Sequence, residues 1–111
     1  DFRKMGRNLT PVSDTRETIA VTSAHAILSG QILLLDTTGS AFTVTLPANG
    51  RIGDRINLVD AAGNCDTNKV TVARNGHKIA NLAEDLDFDI KNASLELIYT
   101  GSAYGWSILS N

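Results

Sequence analysis

Three aspartates at alternate positions, Asp85, Asp87 and Asp89, form the most conspicuous group of potential metal ligands in the chain. A calcium loop of the EF-hand type opens with acidic residues at this spacing, then requires Gly at its sixth position and Glu at its twelfth. Counted from Asp85, the sixth residue is Ile90 and the twelfth Glu96, so one anchor is missing. The intervening Leu86 and Phe88, with Ile90, fit one face of a β-strand instead. His25 and His77 each lack partners at metal-ligand spacing. His25, among Ala24, Ala26 and Ile27, is expected to pack inward or against a neighbouring subunit; His77 follows a turn and is expected to be exposed.

Nucleophilic chemistry finds no better footing. The single cysteine, Cys65, lies in the polar turn Gly63-Asn64-Cys65-Asp66-Thr67-Asn68. An activated thiol needs a base and a positive environment, and neither is near it in sequence. No serine stands in a Gly-x-Ser-x-Gly elbow, and no glycine cluster precedes a helix as in a phosphate-binding loop. Acidic pairs of the glycosidase kind have no specificity in a β protein with 12 acidic residues. Tyr104 and Trp106, in and beside a turn, are the candidate ligand or partner contacts, because aromatic rings there can stack on a sugar or a protein. The competing reading has Trp106 capping the core and Tyr104 covering the turn. No catalytic residue, cofactor or metal is expected.

The elements that must position these side chains are strands. Ile32-Leu33-Leu34-Leu35-Asp36-Thr37-Thr38-Gly39-Ser40 aligns with Ile56-Asn57-Leu58-Val59-Asp60-Ala61-Ala62-Gly63-Asn64. Each stretch runs apolar, reaches an Asp, turns at a Gly and enters an alternating segment, Phe42 to Leu46 or Val70 to Ala73. The repeat reads as one hairpin used twice, with residues 69–73 pairing to 55–61 across the Gly63 turn. The unbroken Ile32–Leu35 run predicts a strand buried on both faces. Pro47 ends a strand and Asn75-Gly76 marks a tight turn. Further strands are predicted at 18–22, 24–28, 77–80, 86–90, 94–100 and 106–110, with a single helical turn at 81–85. Turn signals recur every 8–12 residues or so, as in sandwiches and barrels. The expected fold is all-β, a small antiparallel β-sandwich built from hairpins over residues 18–111, preceded by an extended arm or linker at 1–17.

Composition bounds the rest. At 111 residues there is room for one core. One cysteine permits no intrachain disulfide, so stability must come from packing or from other copies of the chain. The net charge is −2 and the basic residues are scattered, which argues against nucleic acid as a partner. Asp1-Phe2-Arg3-Lys4-Met5-Gly6-Arg7 is locally basic. No apolar run approaches the roughly 18 residues of a membrane span, and no signal-peptide pattern is visible; no membrane insertion is expected.

Several phrases occur in a distinctive order: Asp36-Thr37-Thr38-Gly39-Ser40-Ala41-Phe42-Thr43-Val44-Thr45-Leu46-Pro47-Ala48, Gly53-Asp54-Arg55-Ile56, Val59 to Asn64, Asn68 to Ile79, Leu97-Ile98-Tyr99-Thr100-Gly101 and Gly105-Trp106. Over about residues 25–109 the chain resembles a β-rich module of tailed-bacteriophage virion appendages, tail fibres and fibre-like structural proteins. The resemblance implies a non-enzymatic structural knob on the particle exterior, a homotrimer, with a role in host attachment and other virion proteins held through the N-terminal arm. It carries no catalytic residues over. Alternatives are a capsid decoration or head-fibre protein, a carbohydrate-binding module that recognises a bacterial surface glycan through Tyr104 and Trp106, and a capsule-degrading enzyme.

Overall fold

The computed structural model describes residues 17–110. Nine strands carry the fold: β1 (Thr18–Val21), β2 (His25–Ala26), β3 (Ile32–Leu35), β4 (Phe42–Thr45), β5 (Arg55–Asp60), β6 (Val70–Ala73), β7 (Leu86–Phe88), β8 (Ser94–Tyr99) and β9 (Trp106–Ser110). There is no helix among the described residues, so the helical turn expected at 81–85 is corrected to turns and bends with one isolated bridge, Ile79 to Leu82. That bridge and a second one, Ile79 to Trp106, replace the strand expected at 77–80. The expected arm at 1–17 lies outside the described residues except for Glu17. The Glu17 carbonyl already accepts the Ile32 N–H at 2.8 Å and so belongs to the sheet.

The all-β expectation holds, but the pairing does not follow hairpins. One sheet has the order β9-β8-β5-β3-β1 and the other β2-β4-β6-β7. Within them β1, β3 and β5 pair in parallel, as do β2, β4 and β6. Each repeat unit is therefore a strand that turns, crosses to the opposite sheet and continues there. Successive units stack upon one another like coils. Antiparallel pairs occur only at one end, where β7 joins β6, β8 joins β5, and β8 and β9 form the one true hairpin among the described residues. The purely antiparallel sandwich is thus corrected to two mixed sheets. The physical reason lies in the turns, whose residues cross between layers, so that like stacks on like.

A single core lies between the sheets. Leu33, Leu35, Ile56, Leu58, Leu95 and Leu97 point inward from the first sheet, and Val44, Val70, Val72 and Phe88 from the second. Inward and outward residues alternate along each strand, as pleating requires. Trp106 closes the core at the start of β9, against Tyr99 at a ring separation of 5.1 Å. Gly105 admits this approach. It has φ +74°, and a Cβ there would collide with the Lys78 backbone, whose carbonyl accepts the Trp106 N–H at 2.8 Å.

Candidate functional site

The repeat that aligns Asp36 with Asp60 in sequence is one residue out of step with the sheet. Ile32 pairs with Asn57 and Leu35 with Asp60, so Asp60 occupies an inward position beside a core leucine. The residue is 3% exposed, and its carboxylate is met there by backbone donors. Oδ1 accepts the N–H groups of Gly63 (3.1 Å) and Asn64 (3.2 Å); Oδ2 accepts those of Cys65 (3.3 Å) and Asn92 (2.9 Å). Burial pushes the carboxyl up, but the Asn92 N–H, the Cys65 thiol and the other turn donors outweigh it and hold it below the ordinary range. Asp60 thus pins the β5–β6 crossing to the loop before β8. Asp36, facing outward, caps only its own turn by accepting the Thr38 N–H at 2.9 Å.

This geometry leaves Cys65 without nucleophilic character. The residue is fully buried, and burial together with the adjacent Asp60 carboxylate pushes its thiol up to about 12. The thiolate is the reactive form, so at neutral pH this cysteine is a small core residue. The histidines have structural partners. His25 Nε2 lies 3.0 Å from Gln31 Oε1, and that side-chain amide in turn donates to Glu17 Oε1 at 3.0 Å. His77 Nε2 donates to the Ala48 carbonyl at 2.7 Å, which leaves Nδ1 to face the Tyr99 hydroxyl at 3.5 Å. His77 is half-buried rather than exposed, edge-on to Tyr99. No group of three His, Cys, Asp or Glu residues is placed to hold a metal ion among the described residues. Asp87 pairs with Lys69 at 3.3 Å, and Asp85 accepts the Arg74 N–H at 3.0 Å.

Tyr104 and Trp106 are not brought to one surface. Tyr104 is 62% exposed in the β8–β9 turn, while Trp106 is wholly buried and lies out of reach of any ligand in this fold. Of the aromatic pair singled out in the sequence, Tyr104 alone is presented to solvent.

Two surfaces stand out that spacing alone did not reveal. The first is the outer face of the five-stranded sheet. Ala20, Leu34 and Val59 form one rank across it; Ile32 and Ile98 lie on the same face, with Asn57 and Glu96 between them. The outer face of the other sheet is polar by contrast: Thr43, Thr71 and Asp87 share a rank, and Thr45 lies in the next. The signal for this asymmetry was present in sequence, as the unbroken Ile32–Leu35 run set against Thr43-Val44-Thr45. The second surface is a cleft of about 380 Å³ at the antiparallel end, beneath β9 and beside β7. Its walls are Leu86, Phe88, Ile90, Ala93, Leu95 and Ile108, with Asp87, Asp89 and Ser94 completing the lining. Ile90 and Ile108 remain 67% and 41% exposed. The cleft exists because the five-stranded sheet extends one strand further than its partner, so β9 overhangs the edge of β7.

Comparison with protein-family models found no matching family, and comparison with curated proteins found no matching protein.

Proposed function

We propose that this chain is a non-enzymatic structural module of a tailed-bacteriophage virion appendage, a fibre-like knob on the particle exterior that works as a homotrimer. The observation that carries the reading is the apolar patch of Ala20, Ile32, Leu34 and Val59 on the outer face of the five-stranded sheet, beside a polar strip of Arg55, Asn57 and Glu96. Parallel strands occur where both sheet faces are covered, and their continuous apolar runs reflect that. Ile32, Leu34, Val59 and Ile98 give this sheet such a second face, and all four remain partly exposed in the single chain. Other copies of the same chain supply the cover, with the threonine-bearing sheet turned to water. The resemblance of the ordered sequence phrases to phage appendage proteins points to the same assignment. The function is then mechanical, with the core and the pinned turns providing stiffness.

Sedimentation equilibrium at micromolar concentration tests this directly. The expected mass is three times the 11.8 kDa of the chain. Leu34→Glu, which places a charge on the apolar outer face, is expected to give a monomer that keeps its β-type circular dichroism. Thr71→Glu, on the polar outer face, is expected to leave the mass unchanged. A wild-type chain that sediments as a monomer overturns the reading.

A further inference from the structure

We infer that Asn49 is a site of spontaneous covalent modification, an intramolecular deamidation to aspartate and isoaspartate, and that the fold protects Asn75 from the same reaction. The inference is independent of the assembly proposed above. The chain holds the Asn-Gly step twice, at Asn49-Gly50 and Asn75-Gly76. Glycine after asparagine favours this chemistry, because no Cβ obstructs the approach of its nitrogen to the side-chain amide. The Gly50 nitrogen attacks Cγ of Asn49 and gives up its proton; the Cγ–Nδ2 bond breaks and ammonia leaves with that proton. Water then opens the succinimide ring. Attack at Cγ leaves an ordinary aspartate, and attack at the α-carbonyl leaves isoaspartate, whose main chain runs through Cβ and Cγ.

The same dipeptide sits in opposite surroundings at the two places, although both asparagines are exposed. Asn75 is locked. It has φ 51° and Gly76 φ 86°, the paired positive values of a mirror-image tight turn, closed by the His77 N–H donating to the Arg74 carbonyl at 3.1 Å. Its Nδ2 donates to the Leu46 carbonyl, just beyond β4, at 2.9 Å. To react, Asn75 must break that bond and rotate its amide over the Gly76 nitrogen. Asn49 lies in a bend between β4 and β5 and keeps an ordinary negative φ. Its side-chain amide has no hydrogen-bond partner among the described residues, so it is free to turn towards the Gly50 nitrogen. The net loss of one hydrogen bond on the way to the reactive geometry slows a reaction about tenfold.

The product matters to the fold because the bend is fastened on both sides of Asn49. The Ala48 carbonyl accepts the His77 Nε2 proton at 2.7 Å. Gly50 lies so close to the Tyr99 ring that a Cβ there would stand 3.0 Å from the ring's Cγ. Tyr99 in turn packs on Trp106. Isoaspartate adds a carbon to the main chain between these two anchors, so the His77 bond or the Gly50–Tyr99 contact must yield. An ordinary aspartate adds a surface charge and leaves the main chain as it was.

The test incubates the full chain in mildly alkaline buffer at physiological temperature, folded and in urea, and follows each asparagine by peptide mass spectrometry. Trypsin at slightly acidic pH separates the sites, because it cuts after Arg51, Arg74 and Lys78. In the folded chain Asn49 is expected to convert at least about tenfold faster than Asn75, and in urea the two rates are expected to converge. Equal rates in the folded chain overturn the inference, as does an Asn49 that stays intact when folded yet converts in urea. A tenfold gap that persists in urea assigns the difference to flanking residues and overturns the protection of Asn75 by the fold. As a second readout, the urea midpoint of aged protein is expected to fall with its isoaspartate content, measured by enzymatic methylation, below that of freshly prepared Asn49→Asp. Asn49→Gln is expected to show no such loss on ageing. An aged chain as stable as Asn49→Asp overturns the strain argued for the isoaspartate form.

Discussion

Asp60 occupies an inward site that the neighbouring strand fills with Leu35, and the fold is built to accept the exchange. A carboxylate taken out of water is costly unless donors replace the water it loses. Four backbone N–H groups do so, from two separate loops. Removing the acceptor strands those donors, so Asp60→Ala is expected to cost about 3 kcal/mol, read as a shift in the urea midpoint. The pH dependence follows from the same contacts. The folded carboxyl titrates below its unfolded value, so its contribution is fully present above about pH 4 and is lost as the pH falls through the folded value. Acid titration of wild type beside Asp60→Asn is expected to show the flatter stability profile in the variant below about pH 4. Equal slopes would mean that Asp60 keeps an unfolded-like titration.

At the scale of elements, hydrophobic pattern predicts strands well and their partners poorly. β3, β5, β8 and β9 fall where the apolar runs place them. Pairing depends on whether a turn reverses the chain within a sheet or carries it across to the other, and the Asp-x-x-Gly stretches are compatible with both. The real hairpin, β8 to β9, depends on a glycine whose need is steric. Gly105 and Gly30 both have positive φ, yet a Cβ at Gly30 meets nothing within 4 Å, whereas one at Gly105 strikes the Lys78 backbone. Gly30→Ala is expected to cost about 1 kcal/mol for the left-handed conformation alone. Gly105→Ala is expected to cost about 2–3 kcal/mol, because the Lys78 backbone must also shift. Chemical denaturation of the two variants side by side separates strain from collision; equal losses would show that Lys78 gives way freely.

Across the whole molecule, the parallel pairs join strands distant in sequence. β3 pairs with β5, Ile32 to Asn57, and β4 with β6, Phe42 to Val70. Such contacts require long loops to close before they stabilise anything, so folding is expected on a millisecond-to-second timescale. β5 lies between β3 and β8 and is the only strand with both a parallel and an antiparallel neighbour in the five-stranded sheet. Its amides are expected to exchange slowest with deuterium, and those of the two-residue edge strand β2 fastest. A β5 that exchanges as fast as β2 would show that the coils are not one cooperative unit. The same arrangement places the apolar patch of the outer face along the side of the coils, the surface on which the proposed assembly depends.

Residue order alone determined that this chain is β-built and where most strands lie. Those properties follow from local pattern, because side chains alternate along any strand whatever it pairs with. Tertiary structure decided what local pattern cannot hold: the parallel stacking of the repeats, the one-residue offset that turns Asp60 inward, and the burial of Trp106 while Tyr104 stays outside. Each depends on register between segments far apart in the chain, and a shift of one residue exchanges the faces of a strand without changing a letter of the sequence.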